Sequence, residues 1–250
     1  GTASAPRIGM IDSAVDTTHP VLARSNIESR EFVSTNARTP EFHGTAIASI
    51  IAANSPDYRG LAPDAQVYAA GVFELDDERG EIASTVSLLR ALDWLMSSNV
   101  DVVNISLAGP PNRLLEAALN RAVEKEVVIL AAAGNGGPVA KPMYPAAYDT
   151  VVAVTAVDSG RKVFRLANRG AYLDLAAPGV DLLHAQAGGG FAASSGTSFA
   201  VPFAATAAAS LISARPGADV MSMLYNSAED LGAPGRDDVY GYGLLRVQGG

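Results

Sequence analysis

The stretch Gly196-Thr197-Ser198-Phe199-Ala200-Val201-Pro202 decides how this chain is read. It sets Ser198 at the mouth of an alanine-rich apolar run, Phe199 to Ala214, which predicts a buried helix. At a helix N-terminus the first backbone N–H groups are unpaired and the dipole is positive. Negative charge developing on a carbonyl oxygen held there would be stabilised. Gly-Thr-Ser before a helix is equally an ordinary N-cap composition, so this stretch alone leaves both readings open.

Upstream, short Val/Ile/Ala runs alternate with helical patterns. Arg7 to Asp12, Gln66 to Phe73, Val100 to Leu107, Val127 to Ala133 and Val151 to Val157 read as strands. His43 to Ala53, Ser84 to Ser97 and Asn112 to Lys125 read as helices, with Ser84 as an N-cap. Asp76 to Gly80 reads as an acidic loop, and the tail from Arg215 as loop with a short helix over Val220 to Ser227. Nearly continuous apolar strands between helices predict an α/β fold: three layers, with a mostly parallel central sheet flanked by helices on both faces. In such sheets chemistry gathers at the carboxyl ends of the strands. Asp12, Ser106 and Asn135 fall there.

The 250 residues, 48% of them hydrophobic, suffice for one large core, and no internal repeat or linker divides them. A net charge of −8 without a basic stripe argues against nucleic acid. The absence of cysteine excludes disulfides, thiolate metal sites and cysteine nucleophiles. We expect no membrane span, since the Ala-rich run is interrupted by Pro202 and Thr206. The chain opens Gly1-Thr2-Ala3-Ser4 and carries no signal peptide, from which we expect that something upstream has been removed.

Three stretches hold the groups of a hydroxyl-nucleophile site. Asp12 ends a strand, His43 begins a helix, and Ser198 begins another. Serine is a weak nucleophile at its free pKa; it needs a base, and the base needs a carboxylate to fix its tautomer. Singly, the Asp reads as a turn residue and the His as structural. Of the histidines, His19, His43 and His184, only His43 sits among small residues suited to close approach.

Ile11-Asp12-Ser13, His43-Gly44-Thr45 and Gly196-Thr197-Ser198, in that order, resemble the signature segments of the subtilisin-like serine proteases. Linking segments are similar too: Asp101 to Leu107, Ala131 to Asn135, Tyr144-Pro145 and Ala176 to Val180. The resemblance implies a single catalytic domain over residues 1–250 and a serine endopeptidase working through an acyl-enzyme. It makes Ser198 the nucleophile, His43 the base and Asp12 its orienting acid. The Asn135 amide and the Ser198 backbone N–H form the oxyanion hole. Ser106, Leu107 and Ala108 would pair with one side of an extended substrate, and Arg79, Gly80 and Glu81 with the other. Ala133, Gly134, Met143 and Thr197 would contribute to substrate binding. A peptide ligase or macrocyclase, and a silent peptide-binding module, are the alternatives. The compact interval from His43 to Ser198 argues against the first, and the complete triad against the second.

Departures from the family pattern carry expectations of their own. Ala14 stands where Gly is usual and Ala46 where a second His is common. Phe199 replaces the usual Met after the nucleophile, which predicts resistance to peroxide. Met143 replaces a small residue at the pocket floor, which predicts small or medium P1 side chains. Asp76, Asp77, Glu78 and Glu81 would either favour basic residues upstream of the cut or form a solvated loop. No cofactor is expected for the chemistry. A structural calcium is possible, but the loop that usually holds it, here Asn54 to Gly60, is shortened and offers only Asn54, Asp57 and carbonyls. The resemblance further implies peptide or protein substrates, a pro-segment, inhibitor or chaperone chain as partner, a monomeric state, and a secreted or periplasmic location.

Overall fold

The computed structural model describes residues 4–246. The opening Gly1, Thr2 and Ala3, with the expectation attached to that terminus, lie outside the described residues, as do 247–250. The strands of the main sheet are β1 (Arg7–Asp12), β2 (Asn26–Glu31), β3 (Gln66–Gly71), β6 (Val102–Ile105), β7 (Val128–Ala132), β8 (Val152–Val157) and β9 (Leu173–Pro178). They form a seven-stranded parallel sheet in the order β2-β3-β1-β6-β7-β8-β9. Two small antiparallel hairpins lie outside it, β4 (Glu74–Asp76) with β5 (Gly80–Ile82), and β10 (Leu182–Ala185) with β11 (Phe191–Ser194).

Both faces of the sheet are covered. The helices are α1 (Phe42–Ala52), α2 (Thr85–Ser97), α3 (Arg113–Glu124), α4 (Thr197–Ala214) and α5 (Val220–Ser227). Alternate side chains of each central strand feed two cores. Ile8, Met10, Leu130 and Ala132 pack with α1 and α4, while Ile11, Val103, Ile129 and Ala131 pack with α2 and α3. This double burial explains why the strands read as unbroken apolar runs.

The helix boundaries have local causes. Ser84 accepts from the Ser87 N–H and caps α2; Asn112 caps α3 through Leu115, and Asp219 caps α5 through Ser222. Helix α4 is rich in alanine, the best helix former and small enough to let the helix lie close to the sheet. The helix read over Phe199 to Ala214 is present and starts two residues earlier: α4 runs 18 residues, straight through Pro202. Pro202 sits in the second turn, where its missing N–H withdraws a bond only from the Ser198 carbonyl. By length and composition α4 could cross a membrane, but 67% of it is buried inside the fold, as befits a core helix.

Three further differences from the sequence reading stand out. Asp76 to Gly80 is a strand-turn-strand rather than a loop, because Asp76 accepts from the Glu78 and Arg79 N–H groups and closes the turn. Strand β2, Asn-Ile-Glu-Ser-Arg-Glu, escaped notice because it is a charged, exposed edge strand. Strand β9, Leu-Asp-Leu-Ala-Ala-Pro, was not read as a strand either. The interval Asn54 to Gly60 folds as a tight turn, with Asn54 bridged to Arg59 and the Gly60 N–H on the Ala53 carbonyl.

Candidate active site

Asp12 closes β1, an interior strand of the sheet, and is 1% exposed. Burial of a carboxylate is expensive unless hydrogen bonds repay it. Here the Ser13 N–H donates to Oδ1 at 2.6 Å, and His43 Nδ1 lies 2.9 and 3.0 Å from the two carboxylate oxygens. A carboxylate only accepts, so the hydrogen sits on Nδ1 and Nε2 presents its lone pair outward.

The close approach of β1 and α1 that makes this pair is set by Gly44. Its N–H donates to Ser13 Oγ at 2.8 Å, and a Cβ at 44 would lie 2.4 Å from the Ser13 carbonyl oxygen. Only glycine fits there. Ser13 thus joins the site as a strut, a role that its sequence neighbours did not announce.

His43 titrates above the ordinary histidine range. Burial pushes its pKa down, but the Asp12 charge and hydrogen bond, helped by the charge of Glu81, together outweigh burial. Glu81 comes from β5, so the small hairpin stands close enough to the base to act on it electrostatically.

Ser198 lies in the first turn of α4, after Gly196, which is the observed N-cap residue. Of the three expected catalytic residues, Asp12 and His43 are joined. No hydrogen bond joins His43 to Ser198 among the described residues. Unliganded sites are often loose in this way and tighten around substrate. The next residue, Phe199, brings its ring to 5.2 Å from the His43 imidazole, which places the two helix starts side by side.

Asn135 follows β7 and is exposed. Its Oδ1 accepts from both the backbone N–H and the hydroxyl of Thr197, each at 2.9 Å. With the oxygen occupied, the Nδ2 donors are left to face outward beside Gly196, where a Cβ would approach Nδ2 to 3.3 Å. Thr197, expected to bind substrate, is instead completely buried; its hydroxyl serves Asn135 and accepts from the Gly134 N–H at 3.1 Å.

A residue missed in the sequence completes this corner. Asn168, fully buried, accepts from the Gly136 N–H at 2.7 Å and donates to the Lys141 carbonyl at 3.1 Å. Its backbone N–H bonds to the Gly134 carbonyl. It therefore pins the loop that carries Asn135. Nothing in Ala167-Asn168-Arg169 signalled this, because the partners are about thirty residues away.

Of the remaining expected residues, Glu81, Leu107 and Ala108 line a cleft of about 370 Å³, while Ser106, Arg79, Gly80, Ala133, Gly134 and Met143 are not among its walls. The cleft walls also include Ala83, Leu88 and Tyr144. Ser106 accepts from the Asn104 amide at 3.1 Å, and Gly109 pairs with Tyr144 by two backbone bonds of 2.8 and 2.9 Å. Gly80 and Glu81 lie on β5, whereas Arg79 is in the turn with its guanidinium on Asp76. Met143 lies against Gly134: a Cβ on Gly134 would meet Met143 Cγ at 2.9 Å. Ala133 and Gly134 are themselves buried.

The acidic run divides. Asp76 is held at about 2 by the Arg79 guanidinium and then by the Arg79 and Glu78 N–H groups. Asp77 pairs with Arg38. Glu81 is the one charged residue among the cleft walls.

Residues 3–243 match the subtilase family. The chain is 36% identical to Subtilisin E of Bacillus subtilis (strain 168), over 99% of its own length and 66% of that protein's. It is 35% identical to the subtilisin of Bacillus pumilus, covering 99% of this chain and 91% of the relative. The fold superimposes on the protease domain of PatA with a TM-score of 0.84 at 29% identity, covering 99% and 95% of the two chains. A parallel sheet that ends on a buried Asp–His pair, an alanine-rich helix with a serine in its first turn, and this extent of likeness together make the chain a member of the subtilase family.

Proposed function

We infer that this chain is a serine endopeptidase that hydrolyses peptide bonds in peptide or protein substrates through an acyl-enzyme. The observation that carries the reading is the buried Asp12–His43 pair, with His43 Nε2 free and Phe199 drawing the Ser198 helix against the imidazole. Ser198 Oγ attacks the scissile carbonyl while His43 Nε2 takes its proton. The Asn135 Nδ2 and the Ser198 N–H stabilise the oxyanion. His43 returns the proton to the leaving amine, and water, activated by the same base, releases the acyl group. Asp12 holds the tautomer and stabilises the imidazolium. Subtilase chemistry uses no cofactor.

Residues 1–250 then act as one catalytic domain, outside the cytoplasm and as a monomer. Substrate lies between β5 and the segment Ser106-Leu107-Ala108, pairing through main-chain bonds. The Met143 side chain on Gly134 makes the P1 pocket shallow and favours small or medium residues there. The cleft beside Glu81 favours a residue with an apolar stem and a cationic tip upstream of the cut.

The test is intact mass after incubation with phenylmethylsulfonyl fluoride. One adduct is expected, lost in Ser198→Ala and strongly slowed in His43→Ala. No adduct on folded protein would sink the reading in favour of a silent peptide-binding module.

A further inference from the structure

His184 is completely buried on β10 and has no place in the chemistry above. A buried imidazole must have partners for both ring nitrogens. Nδ1 lies 2.9 Å from the Ala185 carbonyl, which can only accept, so Nδ1 carries the hydrogen. Nε2 lies 2.7 Å from Ser194 Oγ on β11 and accepts from its hydroxyl. The ring is thereby fixed in its own plane. The hairpin that carries it is itself bonded to α1, through the Ala185 N–H and Ser49 Oγ at 3.0 Å.

Two aromatic neighbours tie this fixed ring to the site. Phe199 stacks on it, with centroids 5.6 Å apart and planes 11° from parallel. Phe42 meets it edge-on at 5.5 Å and 86°. Phe42 immediately precedes the base, and Phe199 immediately follows the nucleophile. Phe199 also contacts His43 itself, with ring centroids 5.2 Å apart.

We propose that His184 is a positioning residue of the triad, setting the separation of the α1 and α4 N-termini through Phe42 and Phe199. The proposal rests on the protease reading. An aliphatic residue would fill the same space, but it would be free to rotate. The two hydrogen bonds give the imidazole an orientation, and the stack hands it on to Phe199 and so to His43. Nucleophile and base must meet within a fraction of an ångström, and a displacement of 1 Å can slow a reaction about 10²-fold.

The experiment compares His184→Phe, which keeps a ring but loses both hydrogen bonds, with Ser194→Ala, which removes one of them by a milder change. Each is assayed for the pH dependence of Ser198 sulfonylation, for kcat and KM on a peptide amide, and for Tm. The expected result is a fall of about 10-fold in kcat and in sulfonylation rate for His184→Phe, with KM held, and a smaller fall in the same direction for Ser194→Ala. The apparent pKa of His43, which Asp12 and Glu81 raise, should shift in both variants as the imidazole loses its alignment with Asp12. Normal sulfonylation rates and an unmoved pH profile would reduce His184 to packing, whatever happens to Tm. Should His184→Phe fail to fold, Ser194→Ala decides by the same criteria. Wild-type protein that never takes the sulfonyl group overturns the protease reading itself, and so is distinct from the failure of the positioning role alone.

Discussion

Thr197 holds Asn135 by its amide oxygen, with the backbone N–H and the hydroxyl both donating to Oδ1 at 2.9 Å. The amide therefore cannot flip, and its nitrogen is committed to the cleft. In subtilisin, a member of this family, loss of one such oxyanion donor costs roughly 10²–10³ in kcat. Asn135→Leu should fall in that range with KM little changed. Thr197→Val, which keeps the N–H donor but not the hydroxyl, should lose about 10-fold, and Thr197→Ser much less. Steady-state kinetics on one peptide amide would check all three. A Thr197→Val enzyme with full kcat would show that the amide needs no such restraint.

A second prediction concerns pH. His43 is raised because the negative charges of Asp12 and Glu81 favour its protonated form. Protonated His43 cannot act as base, so kcat/KM should rise with pH through a point above the usual histidine range. Removing a negative charge lowers that point, so Glu81→Gln should move the profile towards acid. A profile that stays in place in Glu81→Gln would mean that solvent screens the pair completely.

Glu81 should also sort substrates. With Asp76 and Asp77 occupied by Arg79 and Arg38, it is left as the charge on the cleft wall. Peptides with Lys or Arg at one upstream position should be cleaved about fivefold better than their Ala counterparts, an exposed-pair effect of about 1 kcal/mol that fades with salt. The ratio should collapse in Glu81→Gln and reverse towards acidic residues in Glu81→Lys. Equal rates across a Lys, Ala and Glu series in the wild type would remove Glu81 from specificity.

Side-chain chemistry around Ser198 sets the fourth. Phe199 has no thioether, so peroxide should leave the sulfonylation titre of Ser198 intact, and Phe199→Met should make it sensitive. With Met143 proposed to floor the P1 pocket, Met143→Gly should move P1 preference towards Phe. Rapid peroxide inactivation of the wild type, or an unaltered P1 profile in Met143→Gly, would each contradict the placement of these side chains.

The last prediction lies far from the chemistry. Burial lifts the Asp174 carboxyl to about 6, against the opposing pull of the Ala153 N–H and Arg236. A group raised in the folded state favours folding while protonated. Its contribution is complete below the ordinary value of 3.8 and is lost as pH rises through about 6, a change of about 3 kcal/mol. Asp174→Asn should flatten the decline of Tm between pH 5 and 7.5 that this carboxyl causes. Parallel Tm curves for the two proteins would refute it.

The parallel sheet was readable from sequence because its strands are buried on both faces, and continuous apolar runs such as Val128 to Ala132 say so directly. The positions expected to form the triad stood out because Asp12, His43 and Ser198 each lie at or next to the end of an element. What stayed hidden is held by long-range contacts. The partners of Asn168 lie about thirty residues upstream, and the Phe199–His184 stack joins two elements whose sequences give no hint of each other. Strand β2 was missed for the opposite reason: as an edge it has no need of an apolar pattern.

That edge has a consequence for life at high concentration. A parallel sheet ends in two rows of unpaired backbone groups that invite strands from other molecules. Here one border carries Glu28, Arg30 and Glu31, side chains that repel a flat apolar newcomer. The other is occupied by the chain's own tail, where Tyr242 and Leu245 donate to β9 and Ala176 donates back to Gly243. A charged row on one border and the chain's own tail on the other thus both discourage pairing with strands from other copies.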